Sequence, residues 1–275
     1  RPRDWSSDVC SSDLLANGNT LAYDRLILAT GIDFEPLPNF TGTDANKAKI
    51  LHAWKAGQQT TDLANQIKAM TKLDTYILCI PPKPYRCPPG PYERACVIAD
   101  YLKRVKGGGK VIVLDANSGI QAEPTNFNYA FTVTHKSVVT YVPNAVIDSI
   151  NADTMKVTLT SGATYTGKVI NVIPTHKGPG LLYSTGLNNS PDGKWAAVNE
   201  MTYESTAAGA GGIHVIGDSC FTQKQPKAGH IANAEAKVCA EAIIQLLAGG
   251  TVNTSPITNS SCFTPITSTT ASWLS

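Results

Sequence analysis

The chain has 275 residues, of which 42% are hydrophobic and 16% are charged. This length and composition favour a globular protein with two domains rather than one. The formal net charge of +2 is spread without long basic runs, and no segment approaches the roughly 18 consecutive apolar residues of a membrane-spanning helix. We therefore expect neither nucleic-acid binding nor a membrane span.

Residues 1–13 (RPRDWSSDVCSSD) have neither helical nor strand periodicity, and they lack the apolar core of a signal peptide. They resemble a translated sequencing adaptor, so we expect them to be non-native and exclude them from the predicted fold. Cys10 lies in this segment and is expected to have no role.

The first strand is predicted in the segment TLAYDRLILATG, residues 20–31, which ends in Ala29-Thr30-Gly31. The final glycine allows the backbone to turn sharply beside a ligand, as at the strand ends of dinucleotide-binding domains. A helix is predicted over residues 45–70. The apolar run at residues 75–80 then predicts a strand that is covered on both faces.

A proline-rich loop, residues 81–91, separates this strand from a helix predicted over residues 92–105. Three glycines end the helix before a strand at residues 110–114, which completes a strand–helix–strand unit. Three further β-rich runs, AVIDSI, KVTLT and KVINVIP, lie between residues 145 and 174 and predict a small antiparallel meander.

The pattern of a buried strand returns at residues 212–218, GIHVIGD. A long helix with many small residues is predicted over residues 228–247 and is closed by a Gly-Gly pair. Residues 251–275 are rich in Ser, Thr and Pro and have no recognisable closing element, so we expect the chain to be incomplete at this end.

This order of elements predicts an α/β fold of two nested dinucleotide-binding (Rossmann-like) domains with parallel sheets and a small antiparallel meander. The predicted segments are 14–70 for the first, incomplete part of an FAD-binding domain, 71–178 for an NAD-binding-like domain with the reactive cysteine, 179–250 for the second FAD-binding part, and 251–275 for the start of a truncated C-terminal domain.

Six residues are predicted to bind the cofactor, namely Thr30, Gly31, Gly217, Asp218, Ala228 and Gly229. Asp218 would accept hydrogen bonds from ribityl hydroxyls of FAD, and the helix that starts near Ala228 would place its positive dipole end by the flavin ring. Alternatively, Asp218 caps a turn. His230 at the same helix start is expected to be structural, with proton transfer as the alternative role. No metal site is predicted.

Seven cysteines are too few for a disulfide scaffold at this length, and an odd number leaves at least one free thiol. Cys87 stands where a nicotinamide-nucleotide site would need a glycine-rich phosphate turn. Arg86 and the N-terminus of the following helix would both favour the thiolate of Cys87. Alternatively, Cys87 is a half-buried loop thiol with a packing role. Cys220, close to the predicted flavin, is a second redox candidate. The cysteines expected to be structural are Cys79, Cys96 and Cys239.

Four segments resemble the flavoprotein subunit of flavocytochrome c sulfide dehydrogenase: ILHAWKAGQQT (50–60), YRCPPGPYERA (85–95), GIHVIGDS (212–219) and QPKAGHIANAEAK (225–237). The likeness extends over nearly all of the chain from Leu14 onward, and RCPPGPYER is the most distinctive string. The resemblance implies that Cys87 and Cys262 form a redox-active disulfide. The family's first G-x-G-x-x-G turn and its N-terminal cysteine that links covalently to FAD are absent from this chain.

The resemblance implies that hydrosulfide attacks the disulfide, giving a persulfide and a thiolate that reduces FAD. Electrons would then pass to the haem of a c-type cytochrome subunit in the periplasm, with sulfur or polysulfide as product. A sulfide:quinone oxidoreductase is one alternative, although no amphipathic C-terminal helix typical of those enzymes is present. A catalytically inert fragment or redox-inert binding module is the alternative of another class, because the flavin-phosphate turn is missing.

Overall fold

The computed structural model describes residues 11–14 and 17–274 of the chain. The strands, in chain order, are β1 (Ser11–Leu14), β2 (Thr20–Tyr23), β3 (Leu26–Leu28), β4 (Asp33–Phe34), β5 (Phe40–Thr41), β6 (Thr75–Ile80), β7 (Lys110–Asp115), β8 (Val139–Val142), β9 (Ile147–Asn151), β10 (Lys156–Leu159), β11 (Thr164–Thr166), β12 (Val169–Val172), β13 (His176–Lys177), β14 (Ala196–Ala197), β15 (Ile213–Val215), β16 (Cys220–Phe221), β17 (Cys262–Pro265) and β18 (Ala271–Leu274). The helices are α1 (Asp44–Lys47), α2 (Gln58–Lys68), α3 (Gly90–Tyr101), α4 (Pro124–Tyr129), α5 (Gly180–Ser184) and α6 (Gly229–Leu247). Among these described residues, no helix has the length and apolar character to span a bilayer.

The chain divides into two compact units. The first unit combines the N-terminal residues through Phe34 with His176–Ser260, and the second combines Glu35–Thr175 with the residues from Ser261 onward. Both units are therefore built from segments that are distant in the sequence. The domain boundaries predicted above are finer than this division and stay a prediction.

The second unit is built on a four-stranded parallel sheet in the order β12-β6-β7-β8. In β6 the residues from Tyr76 to Ile80 are all buried, as predicted for a strand covered on both faces. The connection from β6 to β7 contains α3, so the predicted strand–helix–strand unit is confirmed. The helix begins at Gly90, two residues before the predicted start, and continues as a π-helical turn to Lys106.

Two predictions for this unit were wrong. The helix predicted over residues 45–70 is interrupted, because Leu51 forms a parallel bridge to Asn171 at the sheet edge and leaves only α1 and α2 helical. The run KVINVIP does not belong to the antiparallel meander, because its residues Val169–Val172 are all buried and pair in parallel with β6. The third meander strand is instead β11, which pairs with β10 in the order β11-β10-β9-β5.

The first unit contains a parallel pair of strands, β3 and β15, in register from Leu26↔Ile213 to Leu28↔Val215. The long predicted helix is confirmed as α6. The strand predicted over residues 20–31 is split, because β2 turns away to pair with β1 in an antiparallel ribbon. Residues Ser11–Asp13, expected to have no strand structure, form part of β1, whereas residues 1–10 with Cys10 lie outside the described part of the chain.

A β-hairpin of β17 and β18, which was not predicted from the sequence, lies at the end of the described chain. It follows the alternation of a half-buried ribbon: Thr264 and Ser272 face inward, whereas Phe263 and Trp273 are 73% and 61% exposed. The expectation that no recognisable element closes this segment was therefore wrong. With its parallel sheets, meander and crossover helix, the described chain has the predicted mixed α/β fold.

Candidate active site

Cys87 lies in the turn between β6 and α3, three residues before the helix begins at Gly90. Its φ of +58° falls in the left-handed region, which non-glycine residues rarely adopt and which is concentrated at functional sites. A side-chain carbon at position 90 would lie only 2.9 Å from the Cys87 sulfur and 2.9 Å from the Trp54 ring. Glycine therefore allows the helix end to approach the thiol closely.

Two arginines hold the neighbouring segment against this turn. Arg94 of α3 donates hydrogen bonds to the Ala53 carbonyl (2.7 Å) and to Asn171 Oδ1 (2.8 Å). Its guanidinium lies over the Trp54 ring, 4.6 Å from the centroid, in a cation–π contact. Arg86 donates a hydrogen bond to the Trp54 carbonyl. The two guanidinium groups thus bind Trp54 from both its ring and its backbone.

The net environment of Cys87 disfavours its thiolate. Burial raises the pKa of the Cys87 thiol, and the charges of Glu93 and Cys262 also raise it, whereas a hydrogen bond from the Gly90 N–H and the charge of Arg86 lower it. The predicted effects of the helix N-terminus and Arg86 are therefore present but outweighed, because taking the sulfur out of water destabilises its charged form. In its reduced state, Cys87 therefore retains its proton to higher pH than an exposed cysteine.

A pocket of about 450 Å³ lies beside Cys87 and is lined by residues of α2 and α3. Its lining is mainly apolar, with Leu63 and Ile67 contributed by α2. Glu93 and Arg94 are its charged members. Burial raises the pKa of Glu93, and the charge of Arg94 partly offsets this effect. A small molecule therefore has space next to the thiol and a carboxyl group that retains its proton to higher pH than an exposed glutamate.

Cys262 is the first residue of β17, a strand that packs against α3. Cys87 and Cys262 are both half-buried free thiols, and a charge on Cys262 raises the pKa of Cys87, so the two sulfurs share one neighbourhood. The tertiary fold thus brings together the two predicted redox cysteines within the second unit. Their disulfide itself stays a prediction.

The residues predicted to bind the cofactor lie in the first unit, at the carboxyl ends of β3 and β15. These strands are followed by Thr30-Gly31 and by a 3₁₀ turn over Gly217–Ser219. Thr30 Oγ1 lies 2.9 Å from Ser219 Oγ, which donates a hydrogen bond to the Gly31 carbonyl at 2.8 Å. Dinucleotides bind at the carboxyl ends of parallel strands in such folds, so this arrangement fits a flavin nucleotide.

The N-terminal part of helix α6 packs against the turn over Gly217–Ser219. The helix begins at Gly229, with Ala228 in extended conformation before its first turn. Gly217 has a φ of +72°, and a side-chain carbon there would lie 3.5 Å from Ala232 Cβ, so the turn that contains Asp218 packs directly on the helix. The six predicted cofactor-binding residues therefore lie around two paired strand ends and one helix N-terminus.

A buried carboxylate of α6 supports the same turn. Glu235 accepts hydrogen bonds from the Gly217 N–H at 2.5 Å and from Cys220 Sγ at 3.6 Å. Burial raises the pKa of Cys220 far above its usual range, and Glu235 raises it further. Cys220 is therefore held as a neutral, hydrogen-bonded thiol, an environment unlike that of a reactive cysteine.

Lys227 binds the turn from its other side. Its ammonium group donates hydrogen bonds to the carbonyls of Asp218 (2.9 Å) and Cys220 (2.7 Å), and it lies 3.6 Å from the centroid of the Trp195 ring. Burial lowers the pKa of Lys227 to about 8, although nearby negative charges oppose this shift. The backbone of the turn is thus fixed by one buried cation and one buried carboxyl group.

Glu235 is expected to make stability pH-dependent. Burial raises the pKa of Glu235 from 4.5 to about 7, and the charge of Asp218 adds to this shift. Hydrogen bonds from Gly217 and Cys220 and the charge of Lys227 oppose it. Between these pH values the folded chain retains a proton that the unfolded chain releases, so the free energy of unfolding should fall as pH rises through this window. Denaturant unfolding from pH 4.5 to 7.5 would measure the fall. Glu235→Gln should flatten the profile, and an equally steep profile in this variant would contradict the assignment.

Several residues of both sites were not identified from the sequence. Glu93 and Arg94 stand in the segment YRCPPGPYERA, where a charged pair in the first turns of a mostly buried helix was an available signal. Glu235 and Lys227 similarly stand in QPKAGHIANAEAK, whose other residues are mainly small or polar. Nothing in the local sequence pointed to Trp54, since its contacts come from a helix far along the chain.

The remaining candidates have the following places in the structure. Burial raises the pKa of the three thiols expected to be structural, each of which is almost fully buried: Cys79, Cys96 and Cys239. His230 is the second residue of α6 and its side chain is exposed. Within the described ranges, no group of three His, Cys, Asp or Glu side chains is arranged to hold a metal ion.

Several solved structures have a fold similar to that of this chain, among them the following three. A chain in the mitochondrial ATP synthase of Tetrahymena thermophila has a TM-score of 0.70 and 16% identity, covering 95% of this chain and 66% of that one. The sulfide:quinone oxidoreductase from Aquifex aeolicus has a TM-score of 0.70 and 15% identity, covering 93% and 62%. A NAD-dependent persulfide reductase from A. fulgidus has a TM-score of 0.61 and 16% identity, covering 94% and 45%. The present chain therefore spans less than two thirds of each, and the likeness establishes the Rossmann-like fold.

A family comparison concerns the second unit. Residues 60–174 match the central region of the sulfide dehydrogenase (flavocytochrome c) flavoprotein chain. The matched region contains β6, the Cys87 turn, α3 and the meander, and it therefore confirms the resemblance seen in the sequence. Over these residues the chain is similar to the central region of the flavoprotein chain of flavocytochrome c sulfide dehydrogenase.

Proposed function

We propose that this chain belongs to a flavin-dependent enzyme that oxidises sulfide through a Cys87–Cys262 disulfide and transfers the electrons to a c-type cytochrome. The observation that carries the proposal is the Cys87 turn, whose left-handed residue shares its neighbourhood with Cys262. The family description adds that the matched region occurs in the flavoprotein chain of a flavocytochrome. A periplasmic location is part of the proposal and rests on the family resemblance alone.

The thiol chemistry is a two-electron exchange. Hydrosulfide attacks one sulfur of the oxidised pair, so that a new S–S bond forms and the Cys87–Cys262 bond breaks, leaving a persulfide on one cysteine and a thiolate on the other. The sulfide sulfur is oxidised and the protein disulfide is reduced. Burial makes the Cys87 thiolate unfavourable, so Cys87 is a poor leaving group and attack on its sulfur with release of Cys262 is favoured.

Other residues of the second unit would assist this exchange. The pocket of about 450 Å³ gives hydrosulfide a route to Cys87. Glu93 can hold the proton that the persulfide releases, because burial raises its pKa.

The first unit would hold the cofactor. FAD, when bound, would accept the two electrons that the sulfide sulfur gives up, by way of the Cys262 thiolate, and release them one at a time, which suits a haem acceptor. Thr30, Gly31 and the turn over Gly217–Ser219 would contact it from the strand ends. The residues Ala228 and Gly229 would contact it from the start of α6, where backbone N–H groups favour phosphate or another anion.

We expect sulfide to support cytochrome c reduction by the FAD-loaded protein and NADH to support none. The loop over residues 81–91 lacks the pair of glycines that lets a backbone approach a pyrophosphate, and its prolines have no N–H groups to donate. Steady-state assays with the two donors, and with cytochrome c or a soluble quinone as acceptor, test the proposal. NADH turnover would overturn the argument from the loop. Faster reduction of quinone than of cytochrome c would overturn the proposed acceptor.

A further inference from the structure

We propose that Glu123 is a positioning residue for Cys262, because its carboxylate holds the β17–β18 hairpin in the register that turns this cysteine towards the Cys87 turn. The inference rests on the proposed function, since it assumes that Cys87 and Cys262 are the redox pair. It adds a residue that contacts neither sulfur and that controls how readily the pair forms a disulfide.

The carboxylate of Glu123 binds both strands of the hairpin. Its Oε1 accepts a hydrogen bond from Thr264 Oγ1 at 3.1 Å, and its Oε2 accepts one from Ser272 Oγ. Thr264 and Ser272 are directly opposite each other in the antiparallel pair. All three residues are buried, at 8%, 1% and 8% exposure. One buried carboxylate therefore fixes a single pair of facing residues.

This contact decides which way Cys262 points. Side chains alternate along a strand, so Cys262 lies on the same face of β17 as Thr264, two residues away. Phe263 lies on the other face and is 73% exposed, like its cross-strand partner Trp273. A slip of one residue would turn Phe263 inward and Cys262 outward. By holding Thr264 inward, Glu123 keeps Cys262 on the inner face of β17, the strand that packs against α3.

Apolar burial contributes little to this docking, because the large side chains Phe263, Trp273 and Leu274 all remain substantially exposed. An isolated two-stranded hairpin is only marginally stable in water, so polar contacts must hold it. Two further contacts lie at its turn: His135 Nε2 is 2.8 Å from the Ile266 carbonyl, and the Ser268 N–H donates to Asp100 Oδ2 at 3.1 Å. Glu123, in contrast, binds the hairpin at Thr264, only two residues from Cys262.

Two observations set Glu123 apart from an ordinary packing residue. Its φ of +48° is in the left-handed region, a conformation that a glutamate keeps only when its surroundings dictate it. Its charge also raises the pKa of Glu93, the carboxyl group beside Cys87, so it lies close to the thiol site. The Glu123 carboxylate thus binds the hairpin and also acts electrostatically on the carboxyl group beside Cys87.

The test measures the equilibrium between the Cys87–Cys262 disulfide and its dithiol in dithiothreitol buffers, using the purified full chain. Glu123→Ala should shift the equilibrium at least tenfold towards the dithiol, about 30 mV for this two-electron couple, because the thiols meet less often. Glu123→Gln retains an acceptor oxygen and should recover most of the shift. Thr264→Val, which removes one hydrogen bond without changing the shape, should shift the equilibrium in the same direction and replaces Glu123→Ala if that variant does not fold.

Asp100→Asn is the matched control, because it weakens the contact at the far end of the hairpin. It should leave the equilibrium nearly unchanged. An equal shift in Asp100→Asn, or no shift in Glu123→Ala and Thr264→Val, would overturn the positioning role. If the unmodified chain forms no Cys87–Cys262 disulfide on oxidation, the proposed function fails and the positioning role falls with it. If it forms the disulfide and Glu123 has no influence, only the positioning role fails.

Discussion

Replacing Cys87 with serine is expected to reduce sulfide turnover at least about a thousandfold, while dithionite still reduces the bound flavin. Serine preserves the size and the left-handed turn at this position, but its oxygen cannot form the disulfide that hydrosulfide attacks. Cys262→Ser should have the same effect, because each thiol is half of the bond that breaks. Stopped-flow measurements with sulfide and with dithionite separate the substrate step from flavin reduction.

A suitable control is Cys96→Ala, since Cys96 is fully buried in the helix that follows Cys87. This variant should retain turnover and lose only some stability. Peptide mapping under non-reducing conditions identifies the pairing directly. A Cys87–Cys220 peptide, or normal turnover in both Cys87→Ser and Cys262→Ser, would require the assignment to be abandoned.

Replacing Asp115 with alanine is expected to lower the free energy of unfolding by about 3 kcal/mol or more, because several buried donors lose a charged acceptor. The Asp115 carboxylate is fully buried and accepts hydrogen bonds from Tyr92 Oη (2.7 Å), Tyr141 Oη (2.8 Å) and the side chain of Asn117 (2.7 Å). Asn117 in turn donates to the Pro81 carbonyl at 3.0 Å. The network thus joins the end of β7 to α3 and to the start of the Cys87 loop.

Chemical denaturation measures this loss. Tyr141→Phe removes one donor and leaves the other bonds to Asp115 in place, so it should lower the free energy of unfolding by only about 1 kcal/mol. A loss in Asp115→Ala no larger than that in Tyr141→Phe would contradict a shared acceptor. The Asp115→Ala protein should also hold the Cys87 loop less firmly, since Tyr92 lies in the first turn of α3.

The sequence alone identified the elements whose patterns are local. The apolar run at residues 75–80 and the long helix at residues 228–247 were predicted almost to the residue, because a strand covered on both faces and a helix rich in small residues have distinct compositions. The sequence also identified Cys87, since prolines replace the glycines of a nucleotide-binding turn. The mixed α/β fold followed from the order of these elements.

Where tertiary contacts compete with local pattern, sequence reasoning was wrong. The helix predicted over residues 45–70 is broken because Leu51 pairs with Asn171 at the sheet edge. The run KVINVIP was predicted to be a strand of the antiparallel meander but forms β12 of the parallel sheet. A short apolar run predicts a strand without indicating which other strand it pairs with. The pKa of Cys87 is raised where the sequence predicted stabilisation of the thiolate, because desolvation depends on what covers the sulfur.

The site itself required the folded chain. Thr30 and Ser219 are in contact because β3 and β15 pair in parallel and end side by side. The register between two distant strands cannot be predicted from the sequence of either strand. Cys262 reaches the neighbourhood of Cys87 through a hairpin that is bound by Glu123, His135 and Asp100, all distant from it in the sequence. Residue type and local period thus determined which groups could carry redox chemistry in this protein. The tertiary structure decided which of them meet, because distance, burial and hydrogen bonding arise only when remote segments pack together.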